Sequence, residues 1–423
     1  MHGDDHVHLG QRHVLDPIGP LQRRSREAGI LAWPLPPNGS SPVHAESTLA
    51  QPTGRLDSLT GLRWWAAFAV FLYHMHVFAP LPGPITTVLL NGYLGVTFFF
   101  VLSGFVLTWS ARPNVPVSTF YWRRFARIWP AHMVALLLAI PVFYTIFPVP
   151  EGSFLKPFDL GILLLSVVLL QAWWSNPMVL FSGNPAAWTL TCEAFFYALH
   201  PWISRVLVPM AKRGALLLGT GVVLYAFAYR IAVLLFPDTG LAAVPVPVQR
   251  LPEFVLGMAL AWAMRSGWRP RIHPLVGVGA MAVVVGGLLF SGRILGEGSL
   301  VGLLRGLTNE FFTIACGLAI VSLASHALRG KRMWFASRWQ VRLGEWSFAF
   351  YLVHATFIYL ALRIFGYQPA SWTNLLWFAV VFVVDLVAAW ALHTFVERTL
   401  EKRMRRWKDD RDKKRARARV ASV

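Results

Sequence analysis

Residues 63–74 read RWWAAFAVFLYH, an apolar stretch with a basic residue at each end, Arg63 and His74. After Arg63 and up to Phe78, the only strongly polar side chains are His74 and His76. Eleven residues of α-helix rise about 16 Å, so His74 would lie near the middle of a hydrocarbon core ~30 Å thick. An ionisable group at that depth is costly. It is expected either to bond to a neighbouring helix or to serve a functional site.

The composition of the whole chain indicates a polytopic membrane protein. Hydrophobic residues make up 56% and charged residues only 14%, against roughly 25% charged residues in a typical soluble domain. Apolar runs long enough to cross a bilayer occur throughout. The two cysteines, Cys192 and Cys316, offer neither a disulfide framework nor a metal-ligand cluster. We therefore expect no bound metal and no permanently bound cofactor.

The net charge of +19 raises the question of nucleic-acid binding, and its distribution argues against it. Residues 398–419 hold twelve Lys and Arg against four acidic residues. Most of the other basic residues lie in short loops between apolar runs, which is typical of the cytoplasmic loops of membrane proteins. No nucleic-acid-binding motif accompanies the charge, so the expected partner of the chain is the lipid bilayer.

The sequence divides into three parts. Residues 1–54 are polar, rich in Pro, Gly and Ser, and without sustained periodicity, so we predict a disordered N-terminal tail. Residues 55–398 form the transmembrane domain. Residues 399–423 form a basic cytoplasmic tail.

The apolar runs predict an all-α integral membrane fold of the cell membrane. They are 64–80, 93–110, 129–147, 160–174, 188–208, 215–236, 251–264, 274–291, 303–325, 345–365 and 373–395. The basic flanks at both ends favour cytoplasmic termini, which require an even number of crossings. If the region 160–208 crosses only once, all the basic loop clusters return to the cytoplasmic side. We therefore expect ten transmembrane helices, with one of the pieces 160–174 or 188–208 short, broken or re-entrant.

Three arginines stand at the cytoplasmic entrance of the third run, in YWRRFARIWP (121–130). They are Arg123, Arg124 and Arg127, of which the last two share a helix face. They are either ordinary positive-inside anchors or a clamp for a phosphorylated cytoplasmic molecule, because guanidinium groups bind phosphate bidentately.

Other polar residues lie in equally apolar surroundings. Glu193 occupies WTLTCEAFFYALHP (188–201), inside the region expected to be broken, and is a site candidate. Arg250 and Glu253, three residues apart in RLPEFVLGMALA (250–261), either neutralise each other or bind substrate. His354, in LGEWSFAFYLVH (343–354), again lies deep in a run.

Six segments in order resemble the membrane acyltransferase 3 family. RLDSLTGLRWWAAFAVFLYH (55–74) resembles its first helix, with Arg63 and His74 in an R-x10-H signature, and GVTFFFVLSGFVL (95–107) resembles its second-helix motif. YWRRFARIWP fits the basic entrance of the third helix. WTLTCEAFFYALHP is similar to the W-[ST]-L-x-x-E-x-x-F-Y-x-x-x-P block, with Glu193 at its acidic position. RLPEFVLGMALA and LGEWSFAFYLVH resemble two later blocks. The resemblance covers about residues 55–400.

The resemblance implies an integral-membrane O-acyltransferase. Members transfer an acyl group, often acetyl, from acyl-CoA to a carbohydrate hydroxyl of a surface polysaccharide, a lipid-linked sugar or a macrolide sugar. The co-substrate expected here is acyl-CoA, with acetyl-CoA as the first choice.

The residues can be assigned roles in this reaction. His74 is the expected general base, because imidazole titrates near neutral pH, and Glu193 would orient it or hold the acceptor. Arg63, with the three arginines of the third run, is assigned to the phosphates of CoA. Arg250, Glu253 and His354 are assigned to the acceptor side, and oxyanion support is a second role for Arg250 and His354. Direct attack and an acyl-histidine intermediate both remain open.

Two other classes of function are compatible with buried polar residues. A transporter or flippase of a glycolipid or small polar substrate would also place His, Glu and Arg at membrane depth, and would move its substrate without consuming acyl-CoA. A structural scaffold for membrane assembly would keep its product chemistry after His74→Ala. Within the enzyme class, the acceptor can be a cell-envelope glycan or a glycosylated natural product.

The charge distribution generates a topology prediction. Single cysteines placed in 237–249, 292–301 and 366–371 should react with a membrane-impermeant thiol reagent added outside intact cells, because these loops fall on the extracytoplasmic side of the ten-crossing arrangement. A cysteine in 209–214 should react only after the membrane is permeabilised. Labelling of 209–214 from outside would overturn the single crossing of 160–208.

Overall fold

The computed structural model describes residues 56–112, 115–149 and 153–421, and they form an almost entirely helical protein. The predicted disordered tail, residues 1–54, lies outside the described residues. The all-α architecture follows from the sequence, because a backbone inside a bilayer must satisfy its own hydrogen bonds, and a helix does so within a single segment.

The α-helices are numbered in chain order. They are α1 (Asp57–Phe78), α2 (Pro84–Leu89), α3 (Gly95–Trp109), α4 (Val117–Phe143), α5 (Leu160–Val167), α6 (Pro177–Leu180), α7 (Trp188–Leu207), α8 (Lys212–Leu235), α9 (Val246–Gln249), α10 (Leu251–Arg265), α11 (Pro274–Leu295), α12 (Ser299–Gly306), α13 (Thr308–Leu328), α14 (Arg338–Phe365), α15 (Leu375–Ala391) and α16 (Arg398–Ala421). Between α15 and α16 lies a π-helical turn, Leu392–Glu397. Short 3₁₀-helices are Leu90–Leu94, Gln171–Trp173, Pro185–Ala187, Pro237–Thr239, Leu241–Ala243, Trp334–Ala336 and Trp372–Asn374. Two-residue strands β1 (Tyr144–Thr145) and β2 (Lys156–Pro157) pair in parallel.

Within the described residues, seven helical segments are long and apolar enough to cross a membrane. They are Pro84–Trp109, Val117–Phe143, Lys212–Leu235, Pro274–Leu295, Thr308–Leu328, Arg338–Phe365 and Trp372–Arg415. The predicted multi-pass membrane fold is therefore confirmed.

The region between α4 and α7 contains no long helix in its described part. Helix α5 has eight residues, about 12 Å, too short to cross a bilayer. Hydrogen bonds to α4 and to α14 hold this segment in place. His132 of α4 bonds through Nε2 to the Ser166 carbonyl at 2.8 Å, and the Asn184 amide donates to the Leu352 carbonyl at 2.6 Å. Irregular backbone is tolerated at such a place because neighbouring helices cover it.

Helices α3 and α10 run parallel in close backbone contact. Gly104 lies against the Phe254 carbonyl, and Gly257 lies against the Val101 carbonyl, so that a Cβ at either glycine would collide with backbone. At the far end Arg265 donates to the carbonyls at the C-terminus of α3, including that of Thr108 at 2.8 Å. This pairing fixes α10 relative to α3.

Aromatic packing joins α1, α14 and α15. Trp64 and Phe71 of α1 contact Phe350 of α14, with ring centroids 5.0 and 5.7 Å apart. Phe382 of α15 lies 6.1 Å from Phe350. Burial of such rings contributes the largest apolar areas to a core. The cluster sets the register that brings the polar residues of α1 and α14 together.

Helices α8 and α11 lie at the periphery of the molecule. The buried residues of α8 are Ala215 and Gly219, and those of α11 are Pro274, Gly277 and Ser291. Both helices therefore present most of their apolar side chains outward, where lipid would surround them.

The basic C-terminal segment forms α16, which packs along α4. The Trp122 indole donates to the Met404 carbonyl at 2.8 Å, and its ring lies 5.1 Å from that of Trp407. Arg123 pairs with Asp409 at 3.5 Å. The expected basic tail is thus a helix attached to the entrance of α4.

The α3–α10 contact predicts a stability loss. Gly257→Ala should lower the free energy of unfolding by about 1–3 kcal/mol, because the new methyl group overlaps backbone that cannot turn aside. Thermal unfolding of detergent-solubilised protein measures the effect. Gly286→Ala is the matched control. Its added Cβ meets nothing within 4 Å, so this variant should be neutral or slightly stabilised. Equal melting of the two variants would contradict the close contact.

Candidate functional site

Two histidines from different helices, one partly buried and one fully buried, are hydrogen-bonded at the centre of the candidate site. His74 Nδ1 lies 3.2 Å from His354 Nε2, and the two ring centroids are 4.9 Å apart. His74 Nδ1 also lies 2.9 Å from the Val70 carbonyl, one turn back in α1. His354 Nδ1 lies 2.7 Å from the Tyr351 carbonyl, and the His354 side chain is fully buried.

These contacts fix the tautomers of a neutral pair. A carbonyl oxygen only accepts, so the Nδ1 atoms of both His354 and His74 must carry protons. His354 Nε2 is then the acceptor for His74 Nδ1–H. The remaining nitrogen, His74 Nε2, is unprotonated and has no hydrogen bond to any residue that the structure describes. His74 Nε2 is therefore available as a base. The orientation of the His74 ring is held by the contacts of Nδ1–H with the Val70 carbonyl and His354 Nε2.

His76 lies in a different environment from His74. Its Nδ1 contacts the Tyr73 carbonyl, and its ring lies 5.2 Å from that of Tyr73. Two residues along a helix rotate the side chain by about 200°, so the two histidines point to opposite sides. Only His74 takes part in the pair with His354.

A cavity of about 220 Å³ lies toward the N-terminal end of α1, and we call it the arginine cavity. Its lining includes Arg63, Phe99, Arg124, Arg127, Glu193 and Tyr197. The structure thus brings together four of the predicted site residues from three helices. Of its three guanidinium groups, those of Arg63 and Arg124 have no ion pair with a carboxylate in the residues that the structure describes, so they are available to an anionic ligand.

The arginines of α4 differ in how they are satisfied. Arg127 pairs with Glu401 of α16 at 3.2 Å and also with the buried Glu397 of the π-helical turn. Arg124 forms no ion pair with a residue that the structure describes. Its guanidinium lies over the rings of Phe120 and Tyr197, 5.9 and 6.0 Å from their centroids. Arg124 is therefore the freer of the two cations.

Arg123 lies apart from the arginine cavity. It is not among the residues that line the cavity, and it pairs with Asp409 at the surface. Its assignment to a phosphate site therefore has no support in the geometry.

Glu193 belongs to the arginine cavity and does not contact His74 in the described residues. Its Oε2 accepts a hydrogen bond from the Tyr197 hydroxyl at 2.9 Å, one turn along α7. The residue that is hydrogen-bonded to His74 is His354, not Glu193. A catalytic role for Glu193 stays a prediction.

Aromatic rings connect the arginine cavity to the histidine pair. Phe99 lines the cavity, and its ring lies 5.9 Å from that of Tyr351. The Tyr351 ring lies in turn 5.4 Å from His354. The cavity is thus separated from the pair by one tyrosine.

Arg250 and Glu253 form a polar cluster at the other end of α3. Arg250 Nη1 donates to Glu253 Oε1 at 2.7 Å and to Asn309 Oδ1 at 2.6 Å, while Asn309 Nδ2 donates to Glu253 Oε1 at 2.7 Å. Thr97, in the first turn of α3, donates to Asn309 Oδ1 at 2.6 Å. Both predictions for Arg250 and Glu253, mutual neutralisation and substrate binding, are compatible with this geometry. The bond between the two side chains leaves other polar atoms of each available to a substrate.

Several residues of the site were missed by sequence reasoning. Tyr197, Asn309 and Glu401 each complete a contact of a predicted residue. The signals existed, because Tyr197 follows Glu193 by one helical turn and Asn309 stands with Glu310 inside the apolar run 303–325. Glu401 was hidden among the basic residues of the tail.

Known proteins are similar in sequence to this chain over most of its length. A model of the acyltransferase 3 family, described as an acyltransferase domain, matches residues 56–394. The chain is 33% identical over 375 residues to Acyltransferase MdmB of Streptomyces mycarofaciens, covering 81% of this chain and 91% of that protein. It is 27% identical over 361 residues to Peptidoglycan O-acetyltransferase OatA of Listeria monocytogenes, covering 78% of this chain and 54% of that protein. No solved structure matches the chain.

Proposed function

This chain belongs to the acyltransferase 3 family, and from that premise we propose its reaction. An acyl group, acetyl or another short acyl, passes from acyl-CoA to a hydroxyl of a carbohydrate-containing acceptor. The observation that carries the proposal is the histidine pair, which leaves His74 Nε2 as a free base one tyrosine away from a cavity lined by arginines.

The chemistry of the proposed step suits this pair. His74 Nε2 takes the proton of the acceptor hydroxyl as its oxygen attacks the thioester carbonyl. The C–S bond then breaks, and the CoA sulfur leaves and receives that proton from His74. During the step the His74 ring is cationic, and its Nδ1–H bond to neutral His354 Nε2 stabilises it. His354 acts by holding the base in position.

The arginine cavity is the proposed donor site. Its volume of about 220 Å³ is below the ~300–1,000 Å³ of ordinary small-molecule pockets, so it would hold the diphosphate and the adjoining part of the pantetheine arm and not the adenosine. Arg63 and Arg124 would bind the diphosphate. The carrier arm would reach the histidine pair past Phe99 and Tyr351.

The number of crossings is part of the proposal. To the seven long apolar segments we add α1, α7 and α10, with 22, 20 and 15 residues, which gives ten. An even number places both termini on one side, and the basic loops favour the cytoplasm. The donor site then opens toward the cytoplasm, where the N-terminal ends of α1 and α4 lie.

The acceptor class follows from the family and is kept broad. One relative is named for O-acetylation of peptidoglycan, so a cell-envelope glycan is one candidate and a glycosylated natural product is the other. The alternative, a transporter or flippase, predicts movement of substrate without release of free CoA.

Arg124 provides a test of the donor site. Arg124→Ala should weaken CoA binding by about ten- to a hundredfold, because one charge-assisted phosphate contact is worth about 1.5–3 kcal/mol. Isothermal titration of CoA into protein in nanodiscs measures this. Arg123→Ala is the matched control on the same helix, since Arg123 lies outside the cavity, and it should bind CoA as the wild type does. If Arg124→Ala also binds normally, the arginine cavity is not the CoA site.

Three histidine variants test the catalytic assignment. His74→Ala should lower acyl transfer by at least 10²–10⁴-fold, the usual contribution of a general base, while CoA binding is kept. His354→Ala should lower kcat by a smaller factor, because the Val70 carbonyl still holds His74. His76→Ala should keep most activity. Free-CoA release by the purified variants measures all three, and an active His74→Ala enzyme would reject the assignment.

A further inference from the structure

A second cavity, of about 440 Å³, lies beyond the opposite end of α3 from the arginine cavity. We call it the tyrosine cavity, and its lining includes Tyr93, Tyr225, Tyr229, Arg230, Glu253 and Glu310. The volume lies in the range of ordinary small-molecule sites. Tyr93 precedes α3, whereas Phe99 to Leu107 of α3 face the arginine cavity, so the two cavities are separated along this helix.

Two buried carboxylates of the tyrosine cavity each have an unused oxygen. Glu253 is 3% exposed and Glu310 is 9% exposed. Glu253 Oε1 accepts from Arg250 and Asn309, but Glu253 Oε2 and Glu310 Oε2 have no hydrogen-bond partner in the part of the chain that the structure describes. Leaving a buried carboxylate oxygen unpaired is costly. Both atoms therefore indicate a ligand with hydrogen-bond donors.

The charge of the cavity indicates a neutral ligand. Arg250 and Arg230 balance Glu253 and Glu310, and Arg305 is already held by Glu297 through two bonds of 2.9 Å. An ionic ligand would leave one of these charges uncompensated in a buried place.

Tyrosine rings supply part of the apolar lining. Tyr225 and Tyr229 are stacked with centroids 6.3 Å apart, and Tyr229 is fixed by its hydroxyl bond to the Leu241 carbonyl at 2.7 Å. A sugar combines an apolar C–H face, which packs on an aromatic ring, with hydroxyls that donate to carboxylates. The lining matches both properties.

We infer that the tyrosine cavity binds the acceptor as a neutral sugar ring, whose hydroxyls donate to Glu253 and Glu310. The inference rests on the proposed acyl transfer and adds the site of the acceptor and its neutral charge. The tyrosine cavity also extends toward His74, the proposed base. The Tyr93 ring lies 5.9 Å from that of Tyr73, which lies 4.8 Å from His74.

The test uses the full-length enzyme in nanodiscs, acetyl-CoA, and three octyl glycosides of equal size: glucoside (neutral), glucuronide (anionic) and glucosaminide (cationic). Acetyl transfer should proceed with the glucoside and be at least tenfold less efficient with the two charged glycosides. Glu310→Gln should raise KM for the glucoside about tenfold and change kcat by less than threefold.

Two further variants protect the result against misfolding. Tyr225 is 60% exposed, so Tyr225→Ala should fold normally and yet raise KM for the glucoside, because the sugar loses a ring face. Asp238→Asn removes an exposed carboxylate just beyond the end of α8 and should leave KM unchanged.

Separate outcomes reject the inference and the proposed function. If CoA binds and acetyl transfer occurs, but KM is the same in Glu310→Gln and Tyr225→Ala as in the wild type, the tyrosine cavity is not the acceptor site. Preference for a charged glycoside, or transfer to none of the three by an enzyme that binds CoA, rejects the neutral sugar. If the wild type neither binds CoA nor releases it from acetyl-CoA, the proposed function itself fails.

Discussion

An imidazole inside a bilayer needs hydrogen-bond partners that water cannot provide, and the bond between His74 and His354 meets this need. The two residues are 280 positions apart in the chain, so the bond requires that α1 and α14 keep one fixed register. The aromatic cluster of Trp64, Phe71 and Phe350 maintains it. A single polar contact thus depends on the apolar packing around it.

The polar residues of the two cavities lie toward opposite ends of α3. Phe99 and the residues after it in α3 face a cavity rich in arginine, and Tyr93 before it faces a cavity rich in tyrosine and carboxylate. The histidine pair stands between them, one aromatic side chain from each. This order suits the proposed reaction, in which the donor is anionic and the acceptor is neutral. Under that proposal neither substrate would have to pass through the site of the other.

Contacts between residues that are close in the sequence could be predicted, and contacts between distant helices could not. The family resemblance, drawn from six motifs, is confirmed by the match over residues 56–394, and the pairing of Arg250 with Glu253 follows from their spacing. Glu193 was predicted to orient His74 or to hold the acceptor, and spacing along α7 does not reveal which helix its side chain meets. Arg127 bonds to Glu401, 274 residues away, through a helix that composition alone describes only as a basic tail.

The peripheral position of α8 has a consequence for how the protein should be handled. This helix supplies Tyr225, Tyr229 and Arg230 to the tyrosine cavity, yet it buries little more than Ala215 and Gly219 against the rest of the protein. Its outer face is apolar and would contact lipid in a bilayer. A transmembrane helix adjusts its tilt to the thickness of the bilayer, and a change of tilt in α8 would change the shape of the cavity. Membrane composition becomes a variable of the enzyme in the same sense as temperature or salt.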